Sequence, residues 1–340
     1  MSYKVGLAVT GALALLTANA ANADTVADFY KGKTITVMIP VGEGGTYDFY
    51  GRLGGAAMNK HLPGKPTAVV KNMPGGGGSV VTNYMAQVAA KDGTFLLSMH
   101  GSTPQSQLLE TTGIKYDLRK FLMIGQFLPL NSSLSVWRAT SPATTIEEAK
   151  QKEVILGSTG RGSYQYQLPA LLNELIGTKF KIVLGYKSIG TENLAMERGE
   201  IHGRGGTTLS WAITKPDWIR DNKIAHLVQV GPRRGKGFED IPLATELVTK
   251  KEHKQALNLI SGGALAGRSL VGTPGIPADR AAALRKAFDD GMKDPEIQEK
   301  AKNWKLDLEP ASGAELEKIV NDILDTPPEV VEMVKKIVSK

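Results

Sequence analysis

Three glycine-rich turns carry the residues best suited to chemistry in this sequence. Each lies between an apolar run and a helix-length segment. The first holds Gly42, Gly44, Gly45 and Thr46, the second Gly75, Gly76, Gly77, Gly78 and Ser79, and the third Ser158, Thr159, Gly160, Gly162 and Ser163. Glycine lets the backbone approach a ligand closely. The first N–H groups of the helix that follows have no intrahelical partner, and with the helix dipole they make an anion site. Taken singly, each turn reads equally well as an ordinary tight turn. Three of them, on two candidate lobes, point to a cleft ringed with N–H and O–H donors. That chemistry is recognition of an anion, with no bond made or broken.

Enzyme motifs are not found. Gly32-Lys33-Thr34 resembles the end of a phosphate loop, but Ala27 stands where its first glycine belongs. Gly75 to Val80 is not GxGxxG, and Ser79 is not in a GxSxG elbow. His61, His100, His202, His226 and His253 are scattered without metal-binding spacing, so each reads as surface or core. The chain has no cysteine, which removes thiolate metal sites, disulfides and cysteine nucleophiles. A binding protein rather than an enzyme is expected, with no cofactor and no metal.

The elements that must position the turns repeat one unit, a short apolar run, a glycine turn and a helix. Thr34 to Pro40, Thr67 to Lys71, Val154 to Leu156 and Lys181 to Leu184 are the runs that lead into turn-and-helix segments. Alternating strand and helix implies parallel sheets covered on both faces, with ligands at the carboxyl ends of the strands. Residues 120–140 read as a crossover between two groups of such units, and Ile224 to Val230 as the return. The expected organisation is a signal peptide at 1–23, the first part of lobe I at 24–127, lobe II at 128–230, and a return to lobe I with C-terminal helices at 231–340.

The N-terminus sets the expected compartment. Lys4 is the only charge before Asp24, Val5 to Leu16 is apolar, and small residues end in Ala21-Asn22-Ala23. This is the pattern of a secretory signal, cleaved near Ala23, with a core too short to span a bilayer. The composition, 41% apolar and 22% charged, is that of a globular chain. The net charge of +7 is spread along the sequence, which suits attraction of anions. No nucleic-acid motif accompanies it.

Two blocks, KTITVMIPVGEGGTYDFYGRL and VVKNMPGGGGSVVTNYMAQVAAKDGTFLL, resemble the substrate-binding receptors of tripartite tricarboxylate transporters, the Bug receptors. The shared pattern here is Ile39-Pro40, Gly44-Gly45, Asp48 and Arg52, then Asn72, Pro74-Gly75, Gly77-Gly78 and Asp92-Gly93-Thr94. The resemblance covers essentially the whole mature chain, more loosely after Gly199. It implies an α/β, type II periplasmic-binding-protein fold, with two lobes joined by crossover strands and a ligand cleft between them. It implies a periplasmic, monomeric solute-binding protein that captures a small carboxylate and hands it to membrane permease subunits, without a nucleic-acid partner. Carried over by position, the ligand site comprises Gly44, Gly45, Thr46, Asp48, Gly75, Gly76, Gly77, Gly78 and Ser79, with Thr159, Gly160, Ser163, Tyr186 and Ser188 from the second lobe. Asp48 and Arg52 have a rival role in capping and bracing the first helix. One departure stands out. His202 occupies the place of a family aspartate, followed by Arg204. Both are expected to face the distal end of the ligand and to favour a second anionic group, as in a dicarboxylate. The alternatives are an exported α/β enzyme acting on carboxylates and a ligand-presenting sensor component.

Overall fold

A computed structural model describes residues 25–340 apart from 45, 111–112, 162, 187, 208–209, 212–214, 232 and 236. The signal-peptide expectation, Gly45 and Gly162 therefore lie outside the described residues. Eleven named strands run β1 (Thr34–Ile39), β2 (Thr67–Asn72), β3 (Phe95–Met99), β4 (Leu122–Gln126), β5 (Ser132–Trp137), β6 (Val154–Ser158), β7 (Phe180–Leu184), β8 (Gly203–Thr207), β9 (Ile224–Val230), β10 (Ser269–Gly272) and β11 (Ala311–Ser312). The helices that matter for the site and the unit boundaries are α1 (Thr46–His61), α2 (Ser79–Gln87), α3 (Tyr164–Ile176), α4 (Ile189–Glu197), α5 (Lys251–Ala266), α6 (Ala278–Lys293) and α7 (Pro328–Val338).

The chain forms two compact units. The first takes residues up to Thr103, Gly113–Leu128 and Arg268–Lys318, and the second takes Pro104–Thr112, Pro129–Gly267 and Ile319–Lys340. The first unit's sheet has the order β11-β4-β10-β3-β1-β2, with β2, β1 and β3 parallel and the rest antiparallel. The second unit's sheet has the order β7-β6-β8-β5-β9, with β7, β6 and β8 parallel and β5 antiparallel to both neighbours. Each sheet is thus a parallel core extended by antiparallel strands, not the purely parallel sheet that strand–helix alternation implies.

The parallel cores follow from composition. β1 reads TITVMI and buries five of its six residues, because a central strand covered on both faces needs a continuous apolar run. The edge strand β2 alternates between exposed and half-buried residues. Helix α1 lies close on β1. A Cβ at Gly51 would stand 2.8 Å from Ile39 Cγ1, a separation that only glycine permits.

The chain passes from the first unit to the second between Leu128 and Pro129, after β4 of one sheet and before β5 of the other. The return does not fall at 231. Strand β9 pairs with β5, and the chain re-enters the first unit at Arg268. The physical reason is helical packing, since α5 lies against α3 and α7, and α7 against α3. That trio keeps residues 231–267 in the second unit and draws the last 22 residues, Ile319–Lys340, back into it. Among the described residues no helix is long and apolar enough to cross a membrane.

Candidate functional site

In the first unit the carboxyl ends of β1, β2 and β3 each feed a turn. In the first turn, Gly44 has a φ of 81° and donates its N–H to Asp48 Oδ2 at 3.0 Å. Asp48 is buried, and its carboxylate also accepts from Arg52 Nε at 3.1 Å and Asn72 Nδ2 at 3.1 Å. Burial alone would raise this carboxyl. The hydrogen bonds from Arg52, Gly44 and Asn72 outweigh it and hold the group below its ordinary value. With three donors already in place, Asp48 acts as the brace between the first turn, α1 and the end of β2. The ligand-contact role expected of it gives way to that bracing role. Thr46, half-buried, opens α1.

The second turn is four glycines in a row with positive φ, 139°, 53°, 57° and 95° from Gly75 to Gly78. Gly75, Gly76 and Gly77 are exposed, while Gly78 is buried against His100. Gly78 caps α2 without a side-chain hydrogen bond, and the Ser79 hydroxyl donates back to Gly76 O at 2.7 Å. The first N–H groups of α2 are therefore left without a side-chain cap. A further turn, His100 to Ser102, follows β3. Ser102 Oγ donates to Gly77 O at 2.8 Å, tying this turn to the second. The Tyr47 hydroxyl accepts from Gly101 N–H at 3.0 Å, tying it to the first turn of α1. The His100 ring stacks on Tyr47 with centroids 4.8 Å apart, and on Tyr47 lies the Arg268 guanidinium, 4.8 Å from the ring centroid. Burial, aided by the charge of Arg268, lowers the His100 imidazole to about 4, so it is neutral at pH 7.

In the second unit the turn after β6 leads into α3. Ser158 and Ser163 hydroxyls lie 2.9 Å apart, and Ser163 starts α3 without a side-chain cap of its own. Gly160 has open space where a Cβ would stand. Thr159 places both its N–H and its hydroxyl 3.4 Å from Gln165 Oε1. Gln165 in turn donates to Glu192 Oε2 at 2.8 Å and Gly205 O at 3.1 Å. Tyr186, partly buried, packs on the Trp211–Trp218 cluster and over Gly157.

Three second-unit expectations are corrected. Ser188 is occupied by a capping box, accepting from Thr191 N–H at 3.3 Å while Thr191 Oγ1 accepts from Ser188 N–H at 3.2 Å. His202 lies at the amino end of the parallel strands, where its Nδ1 accepts from Ile155 N–H at 3.0 Å. The glycine turn of this unit is at the opposite end. Arg204 is fully buried, with Cζ 3.7 Å from the Trp211 ring centroid, Nε donating to Asn193 Oδ1 at 2.8 Å, and Glu192 Oε2 at 3.9 Å. Neither His202 nor Arg204 faces a ligand from the carboxyl end of this sheet. Sequence periodicity could not find this, because a five-residue strand puts residues one apart on opposite faces and Gly203 to Gly206 give no apolar marker of which face is inward.

Two histidine–serine contacts among the described residues bear on the enzyme alternative. His100 Nδ1 lies 2.8 Å from Ser102 Oγ, whose hydroxyl already donates to Gly77 O. His226 Nδ1 lies 2.7 Å from Ser135 Oγ and 3.2 Å from Ser133 Oγ. Both serines are fully buried in β5, out of a substrate's reach. Among the described residues no cluster of three or more histidines and carboxylates could hold a metal.

No family model matches the sequence. A UPF0065 protein from the TAR-I ttuE–ttuC′ intergenic region of Agrobacterium vitis is 24% identical over 278 residues, 80% of this chain and 75% of that protein. A TctC solute-binding protein from Polaromonas aligns over 91% of this chain and 99% of its own, with a TM-score of 0.65 and 20% identity. MatC from Rhodopseudomonas palustris, solved with bound malate, aligns over 90% and 99%, with a TM-score of 0.62 and 20% identity. The chain has the fold of the TctC-type solute-binding proteins. The fold class implied by the glycine blocks, two α/β lobes of the periplasmic-binding type, is what these structures share.

Proposed function

We propose that this protein is an exported solute-binding receptor of the TctC or Bug type, which captures a small carboxylate at its glycine turns. The observation that carries the reading is the first unit's carboxyl end. Three strands deliver three mutually bonded turns there, and α2 starts on a glycine with no side-chain cap. Such a helix start accepts an anion with its own N–H groups and dipole. The solute-binding character of the relatives and the malate bound to MatC support the same class of ligand. The third turn of this kind, Ser158 to Ser163, offers hydroxyl and N–H donors on the second unit. The secretory signal expected from the sequence supports a periplasmic location, and membrane permease subunits of a tripartite tricarboxylate-type transporter are the proposed recipients of the ligand. A thermal-shift screen of the purified mature protein against mono- and dicarboxylates tests the reading. A ligand at about 100 times its dissociation constant adds about 2.7 kcal/mol of stability. A panel without a single stabilising carboxylate contradicts it.

A further inference from the structure

Strand pairing brings a cation to the first unit's turns that the glycine motifs do not contain. Arg268 precedes β10, whose antiparallel register sets Ser269 beside Met99, so Arg268 comes alongside His100 at the carboxyl end of β3. Arg268 is only 6% exposed. Its Nε has no hydrogen-bond partner, and no ion pair among the described residues includes it. The guanidinium lies over the ring of Tyr47, the residue after Thr46 in the first turn of α1, with Cζ 4.8 Å from the ring centroid. Its backbone has a φ of 56°, in the left-handed region that arginine seldom occupies. Buried charges in proteins are paired or hydrogen-bonded, because an unpaired one costs its desolvation in full. A cation–π contact offsets part of that cost and leaves the Nε–H donor unused. His100, which also stacks on Tyr47, is neutral, so Arg268 is the cation of this cluster.

We propose that Arg268 is the charge-bearing residue of the ligand site, pairing with the anionic group that the first unit's turns receive. This rests on the receptor reading and names the residue that gives that site its preference for anions. A planar guanidinium grips a carboxylate through two parallel hydrogen bonds. Without ligand its charge has no ion-pair partner among the described residues, so binding and ligand-free stability respond to its removal in opposite directions.

The test uses Arg268→Met, which keeps length and removes charge, and Arg268→Lys, which keeps the charge. Malate, adipate and butyrate serve as probes in calorimetry. Arg268→Met is expected to leave the ligand-free melting temperature unchanged or raised. It should weaken every carboxylate that the wild type binds by about 10- to 100-fold, the range for a lost hydrogen bond to a charged group. Arg268→Lys should retain most of that affinity. Affinities unchanged in Arg268→Met, with a lowered melting temperature, overturn the proposal and leave the receptor reading standing. The Nε–H resonance of Arg268, assigned by its loss in Arg268→Lys, separates the two claims further. Movement on adding phosphate, in a protein that binds no carboxylate, keeps Arg268 as an anion site and overturns the receptor reading. A resonance that no carboxylate and no phosphate moves overturns Arg268.

Discussion

Replacing Arg204 by alanine should unfold the second unit far more readily and leave ligand selectivity unchanged. The side chain is fully buried with Glu192 at 3.9 Å, bonded to Asn193 at 2.8 Å, and stacked on Trp211 at 3.7 Å. Burial pushes the Glu192 carboxyl up, while the Gln165 hydrogen bond and the Arg204 charge pull it back. Removing the guanidinium leaves Glu192 buried without its counter-charge. Breaking a buried pair in this way costs about 3–5 kcal/mol. The lost cation–π contact belongs to the same cluster and is not added separately. At about 2–4 °C per kcal/mol for a unit of this size, the melting temperature should fall by about 6–20 °C. Tryptophan emission in urea is the natural assay, because Trp137, Trp211 and Trp218 belong to the second unit and Trp304 alone to the first. Adding Glu192→Gln should recover part of the loss, since the orphaned carboxylate is then gone. An Arg204→Ala protein with an unchanged urea midpoint, but selectively weakened for dicarboxylates over matched monocarboxylates, would refute this reasoning and restore a ligand-facing Arg204.

The remaining expectations concern the turns and acid stability. Gly42 and Gly160 have open space at their Cβ positions and no positive φ, so Gly42→Val and Gly160→Val should fold normally by circular dichroism and lose ligand by steric block. Gly78→Val should instead lower the melting temperature, because its φ is 95° and a Cβ there would stand 2.7 Å from His100 Cβ. Equal effects on folding at all three positions would mark the turns as purely structural. His100 and His226 are each lowered from 6.5 to about 4 by burial, with Arg268 and Arg138 respectively adding to the shift. Below 6.5 the unfolded chain binds these protons and the folded one does not. Stability is therefore complete above that pH and falls as pH drops toward about 4, by about 1.4 kcal/mol per unit for each histidine. Urea midpoints in His226→Gln and His100→Gln should show a shallower pH slope than the wild type. Unaltered slopes would contradict the assignment.

Much of the scaffold was legible because local pattern and tertiary role agree. The glycine turns and the strands before them were read from β-branched runs and turn chemistry, which short-range sterics control. The unit boundaries after 230 were not legible. Nothing in Ile224 to Val230 distinguishes a strand that stays in its sheet from one that leaves, and the packing of α5 and α7 on α3 depends on faces far apart in sequence. Arg204 was misplaced because an arginine beside a departure from the family pattern reads as ligand-facing, whereas Asn193, Glu192 and Trp211 enclose it. Arg268 went unnoticed for the converse reason. Its position beside the glycine turns exists only through the antiparallel pairing of β10 with β3, 170 residues from the turn that it serves by the register of Ser269 with Met99.

Calorimetric titration of the purified chain with malate and adipate, each beside its uncharged diamide, tests the central claim most directly. The account predicts one-site saturable binding of a carboxylate, abolished by amidation, with the ligand recovered chemically unchanged. Binding of a diamide as tight as that of its acid, or turnover of the acid during the titration, would contradict it.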